Sequence, residues 1–313
     1  MSHDDSTAAI PRRQLGSTGA DVSILCLGGF HLGVPPKDEA IRIIHRAVDA
    51  GMDFLDNAWE YNDRESERRM GEALAQGGYR DRAFLMSKNC AHDRRADTSM
   101  RRLEESLELL RTDRLDLWQI HEVTWHDDPD RIFAPGGAAE AMLKAKEQGK
   151  VRFIGFTGHK SPAIFKRMLA LAPDFPWDTV QMPVNALDAH FDSFQQQVIP
   201  PARARGIGVI GMKSLAAGRI PTETDITAEE AIRYALSQDV DAVCVGVDSE
   251  AVLEQDLRVG RGFVPLTAAE QADILERAYP HGWNGRHERF KVSLDFEGGE
   301  AQREHGLAGA AAD

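Results

Sequence analysis

Short apolar runs of strand character alternate with amphipathic, helix-like stretches along almost the whole chain, one pair about every 30 residues. Ile41, Ile44 and Val48 recur at helical spacing and stop at Gly51, after which Met-Asp-Phe-Leu-Asp reads as a strand. A second helix is expected over roughly Glu65 to Ala75 and leads to a strand at 83–87. A third, with Met100, Leu103, Leu107 and Leu110 on one face, leads to Leu115–Ile120. Further strands are expected at Val151–Thr157, Thr179–Pro183, Gly208–Met212 and Ala242–Val245, and the capping box Thr227-x-x-Glu230 opens one of the helices between them.

The segment Arg12–Leu27 opens the series. It breaks at Gly16-Ser17-Thr18-Gly19, a hairpin signal, and runs on into an eighth strand. Eight alternating units imply a parallel sheet, and the absence of an obvious second domain favours closure into a (β/α)8 TIM barrel, with the hairpin plugging its bottom. An open Rossmann sheet is the alternative. Against it, the turn after the first strand is Gly28-Gly29-Phe30-His31-Leu32-Gly33 and lacks the Gly-x-Gly-x-x-Gly that would open a helix. The expected organisation is a flexible N-terminus at 1–11, one barrel at 12–280, and a C-terminal loop and tail at 281–313.

The 313 residues suit such a barrel, which needs about 250 plus insertions. A formal net charge of −13 disfavours nucleic acid and anionic membranes as partners. No apolar stretch approaches the roughly 20 residues of a bilayer span, the N-terminus lacks a signal-peptide pattern, and a cytoplasmic location is expected. Cys26, Cys90 and Cys244 are scattered and imply neither a disulfide framework nor a zinc site.

Polar residues stand at the ends of three successive strands: Asp56, Lys88 and His121, 32 and 33 residues apart, with Tyr61 five residues beyond the first. Equivalent positions one unit apart share a rim of the barrel, and C-terminal strand ends form the catalytic rim. The set suits proton delivery to a carbonyl oxygen. Tyr61 would be the acid, Lys88 the cation that brings the phenol closer to working pH, Asp56 the carboxylate that orients Lys88, and His121 a hydrogen-bonding group that fixes the substrate oxygen. The run His121-Glu122-Val-Thr-Trp-His126-Asp127-Asp128 also offers metal-ligand types. No second ligand cluster is evident in the sequence, and no metal is expected.

Around these residues the sequence resembles the aldo-keto reductase family. Its Gly-x-x-Phe-x-Asp-Thr-Ala-x-x-Tyr-Gly pattern reads here Gly51-Met-Asp-Phe-Leu-Asp56-Asn-Ala-Trp-Glu-Tyr61-Asn, then Ser66-Glu67 and Gly71. The likeness continues through Ser87-Lys88, Asp116-x-x-x-x-His121, Gly155-Phe-Thr, Val180-Gln181-x-x-x-Asn185 and the stretch from Gly246 to Leu257. It implies reduction of aldehydes or ketones with NADP(H) or NAD(H), Tyr61 being the proton donor, and a small-molecule carbonyl or alcohol as substrate, and leaves the oligomeric state open.

The same resemblance places Thr157 and Gln181 at the nicotinamide, with Met212 where an aromatic usually stacks on the ring. Lys213 and Ser214 fall near the pyrophosphate, Gly246 begins the last coenzyme loop, and Gln255 and Asp256 stand where Glu-Asn meets the adenine. Gly158 and His159 replace the usual Asn, and Asp248 and Glu250 stand where basic residues often hold a 2′-phosphate, so the expected lean to NADP(H) is slight. Trp59 and Trp125, on loops beside the catalytic set, are expected to line the substrate pocket. Two other readings stay open: a coenzyme-binding regulatory subunit with little turnover, as the family's potassium-channel β subunits are, and a Schiff-base lyase using Lys88.

Overall fold

The structure, a computed structural model, describes residues 9–89, 92–293, 296 and 302–303. Cys90, most of the expected N-terminal segment and the end of the tail lie outside the described residues.

Eight parallel strands close into a barrel in the order β10-β3-β4-β5-β6-β7-β8-β9. They are β3 (Leu25–Gly28), β4 (Phe54–Asp56), β5 (Phe84–Asn89), β6 (Leu115–Ile120), β7 (Val151–Thr157), β8 (Thr179–Pro183), β9 (Gly208–Met212) and β10 (Ala242–Gly246). All eight expected strands are present. The first differs in one respect: the run from Asp21 to Leu27 is two strands. β2 (Asp21–Ser23) pairs antiparallel with β1 (Arg12–Gln14), while β3 joins the barrel. The Ser23 hydroxyl makes the break, donating to the Leu25 carbonyl at 2.7 Å while accepting from the Phe54 N–H at 3.2 Å.

The β1–β2 hairpin closes the bottom as expected. Leu15 and Val22, both fully buried, pack inside the barrel with Cys26, Phe54, Phe84, Met86, Leu117, Ile210 and Ala242. The turn fits only because Gly16 has no side chain. Its φ is +52° and a Cβ there would lie 2.3 Å from the Gly208 nitrogen. Gly16 N–H in turn donates to Asp241 at 3.0 Å, and Arg13 donates to the Val240 carbonyl at 2.7 Å.

A strand buries alternate residues on opposite faces. In β4, Phe54 points inward and Leu55 outward against the helices; in β5, Phe84 and Met86 point inward and Leu85 outward. The outer layer holds most of the apolar core, including Ile43, Ile44, Met70, Leu103 and Leu107. Helices Glu65–Leu74 and Ala96–Leu109 approach so closely at Gly71 that a Cβ there would meet the Leu109 carbonyl at 2.1 Å. Capping boxes open the helices Ala228–Leu236 and Ala268–Gly282, the first as expected.

The expected loop after Tyr279 is more ordered than its sequence suggests. The helix continues through Pro280 to Gly282, and a short helix Arg289–Val292 follows. Buried Lys291 reaches Asp188 at 2.6 Å, Glu288 at 2.8 Å and the Phe191 carbonyl at 2.9 Å, which ties this segment to the loop after β8. Among the described residues, no helix is long and apolar enough to cross a membrane.

Candidate active site

The inward parity of each strand carries directly to the site. Asp56 is two residues beyond inward Phe54, Lys88 two beyond Met86, and His121 four beyond Leu117. All three therefore face the barrel axis at its C-terminal rim, where the period of two puts them. Thr157 in β7, Gln181 in β8, Met212 in β9 and Cys244 in β10 occupy the same parity on the rest of the ring.

Lys88 is 1% exposed, and an ammonium there must place its three N–H bonds or lose their hydration without return. It places them on three acceptors. It pairs with Asp56 Oδ1, donates to the Asn57 carbonyl at 2.9 Å and donates to the Tyr61 hydroxyl at 3.2 Å. The other oxygen of Asp56 accepts from Gln181 Nε2 at 2.9 Å and from the Cys244 thiol at 3.2 Å. Since the Tyr61 oxygen accepts from Lys88, its own proton is left to point elsewhere.

Burial, and after it the charge of Asp56, pushes the Tyr61 phenol well above its ordinary value of 10. This corrects the expectation that Lys88 draws it toward working pH. The desolvation cost of a phenolate outweighs the neighbouring Lys88 cation, which donates to the phenol oxygen. Burial likewise lowers His121 well below 6.5, so its imidazole is neutral. The Tyr61 and His121 rings lie edge to face, 5.6 Å apart, and Phe30 meets Tyr61 from another side at 5.4 Å.

Of the expected coenzyme residues, three gather in one place. Thr157 pairs in register with Gln181, and its hydroxyl lies 4.0 Å from the Met212 sulfur. Gln181 Oε1 is buried with no hydrogen-bond partner, an acceptor left over beside Thr157 that suits a carboxamide N–H. Ser214 is buried on the following turn, and Gly246 sits where a Cβ would strike the His31 ring at 2.8 Å.

Lys213 is turned aside. Its φ is +56°, and its ammonium lies 4.9 Å over the Phe296 ring and 5.8 Å from that of Phe290. Gln255 and Asp256 stand apart on the helix Glu250–Arg261, with Asp256 buried and its carboxyl pushed up to about 7 by that burial.

Trp59 is a second correction. Its indole donates to Glu105 at 2.7 Å and lies within 4.2 Å of both the Arg64 and Arg102 guanidinium groups. At 4% exposed, the ring is packed against the helix Ala96–Leu109 and does not line the mouth. Trp125 is half-buried on the loop after β6, where the sequence places it. Sequence reasoning missed Phe30, 55% exposed beside Tyr61, and a group of polar residues formed by Glu60, His92, Glu122 and His159.

The family model described as "Aldo/keto reductase family" matches residues 24–230. Among curated proteins, the chain is 29% identical to 6-dehydroglucose reductase of Novosphingobium aromaticivorans over 276 residues, 83% of this chain and 86% of that one. It is 26% identical to L-galactose dehydrogenase of Arabidopsis thaliana over 312 residues, 85% of this chain and 95% of that one. Among solved structures, a holo-form aldo-keto reductase from Bacillus halodurans superposes with a TM-score of 0.72 at 23% identity, covering 89% of this chain and 99% of that one.

Proposed function

The chain belongs to the aldo/keto reductase family, and from that premise we propose that it reduces an aldehyde or ketone with NAD(P)H, Tyr61 delivering the proton to the carbonyl oxygen. The observation that carries this reading is the arrangement of the Lys88 hydrogen bonds. All three N–H bonds of the ammonium have acceptors, one of them the Tyr61 oxygen. A bound nicotinamide supplies the hydride. As charge grows on the substrate oxygen, the phenol proton passes to it, and Lys88, held by Asp56, stabilises the negative charge left on Tyr61. Neutral His121 hydrogen-bonds the same oxygen and excludes misaligned poses.

The same arrangement argues against a Schiff-base lyase, because an ammonium engaged on three sides offers no lone pair to a carbonyl. The intact set of Asp56, Tyr61, Lys88 and His121 also favours an active reductase over a silent regulatory subunit.

Thr157, Gln181, Met212 and Ser214 would hold the nicotinamide end of the coenzyme, and Gly246, Gln255 and Asp256 the far end. Asp248 is exposed before the helix Glu250–Arg261, Glu250 holds Arg42 at 2.9 Å and Glu254 holds Arg46 at 2.8 Å, so acid offsets both of these cations. NADPH and NADH should be told apart weakly, with a slight lean to NADPH from the family resemblance. The two curated relatives are named for sugars, and a sugar-derived carbonyl is the substrate class we assign.

Coenzyme titration followed by a carbonyl panel tests both points. Dissociation constants that differ by more than about a hundredfold, ~2.7 kcal/mol, would reveal a 2′-phosphate site that these residues do not form. Turnover of aromatic aldehydes with none of sugar-derived ones would remove the substrate assignment.

A further inference from the structure

Three successive loops on the catalytic rim each bring one metal-ligand type to a common point. Glu60 follows β4, His92 follows β5 and Glu122 follows β6, and one donor atom from each lies within 4.8 Å of the other two. His92 Nε2 stands 3.2 Å from Glu122 Oε2, and His159, beyond β7, has its Nε2 3.8 Å from Glu122 Oε1. Donors bound to one tetrahedral ion at about 2.0–2.2 Å sit roughly 3.4 Å apart, so small side-chain rotations would close this set on a cation.

Two further observations single the cluster out from an ordinary carboxylate–imidazole contact. Glu122 holds a φ of +46°, a left-handed conformation that a non-glycine residue keeps only when its surroundings impose it. His121, nine-tenths buried, has an Nδ1 only 2.8 Å from Glu60 Oε1, yet the contact lacks hydrogen-bond direction and the nitrogen has no other partner. The two carboxylates, with side chains 15% and 14% exposed, lie close together, and the groups set against Glu122 are the His92 and His159 imidazoles. Two largely desolvated carboxylates facing one another are stabilised by an ion between them.

From this geometry we infer that Glu60, His92 and Glu122 bind one first-row divalent cation, zinc by preference, with His159 and His121 flanking it. Imidazole and carboxylate donors without sulfur suit such ions, and zinc stands high in the affinity order for them. The sequence showed no second ligand cluster for the run from His121, and the donors proposed here to join Glu122 come from two other loops. The other donor group among the described residues, Cys26, Asp56 and Cys244, is less suited. Asp56 is already held by Lys88 and Gln181, and burial pushes the Cys26 thiol well up, against the thiolate a metal needs.

The test uses the full chain, freed of metal by a chelator, with Zn2+ titrated calorimetrically and Co2+ followed by visible absorption. One ion per chain is expected, with a d–d spectrum of nitrogen and oxygen ligation and no thiolate charge-transfer band. His92→Gln and Glu122→Gln should each weaken binding by about 100-fold or more, since even outer partners of a metal ligand contribute 10–100-fold. If one variant fails to fold, the other and the cobalt spectrum still decide. Binding unchanged in the folded variants, a thiolate band that places the ion at Cys244, or no stoichiometric binding by the wild-type chain each overturns the inference and leaves the cluster a hydrogen-bonded network.

Discussion

Replacing Lys88 by Met tests whether the buried ion pair organises the site. The methionine fills most of the same space but supplies no donor, so Asp56 loses its cation, and the Asn57 carbonyl and Tyr61 hydroxyl lose a hydrogen bond each. Breaking a buried pair from one side costs about 3–5 kcal/mol. Asp56 keeps its bonds from Gln181 and Cys244, which puts the expected loss at the lower end, about 3 kcal/mol. For a chain of this size that corresponds to a fall in Tm of roughly 5–8 °C.

Adding Asp56→Asn removes the stranded charge and should recover much of the loss. Urea unfolding of wild type, both single variants and the double variant gives the full cycle. A loss below about 1 kcal/mol, or a double variant no better than Lys88→Met, would refute the reasoning.

Glu67 is buried, accepts from the Ser87 hydroxyl at 2.5 Å, and has its carboxyl raised to about 7 by burial. Its folded-state value exceeds the ordinary 4.5, so the stability linked to its proton is full below pH 4.5 and is lost as pH rises through 7. Glu67→Gln should therefore gain on wild type between pH 5 and 8, by up to about 3 kcal/mol in chemical denaturation, and a constant difference would count against it. Trp59→Ala should lower stability by about 3–5 kcal/mol without reordering carbonyl substrates, whereas Trp125→Ala should reorder them. Melting curves and a substrate panel on both variants separate the two, and the opposite assignment would return Trp59 to the pocket.

The strand ends were legible because a period of two and a repeat of about 30 residues act over many positions at once. Phe54 and Met86 pointing inward already imply that Asp56 and Lys88 do too. Tyr61 was reached through its place just beyond Asp56, whereas Gln181 needed the family pattern, since neither spacing nor composition marks a barrel-interior glutamine. Trp59 shows the limit of adjacency: it lies two residues from Tyr61, yet its indole turns outward to Glu105. The surroundings of Lys213 were hidden for another reason, since Phe290 and Phe296 come from far along the chain to lie beside its ammonium. The Glu60, His92 and Glu122 cluster is invisible one loop at a time and exists only once the barrel sets those loops side by side.

Tyr61→Phe addresses the central claim most directly. Only the hydroxyl is removed, together with its bond from Lys88, while the ring keeps its contacts with Phe30 and His121. Coenzyme affinity by fluorescence quenching and single-turnover hydride transfer are measured on the same variant. The account predicts affinity within about threefold of wild type and transfer slower by roughly 10²–10⁴-fold, the usual share of a positioned general acid. Retained affinity with transfer near the wild-type rate would show that the proton comes from elsewhere.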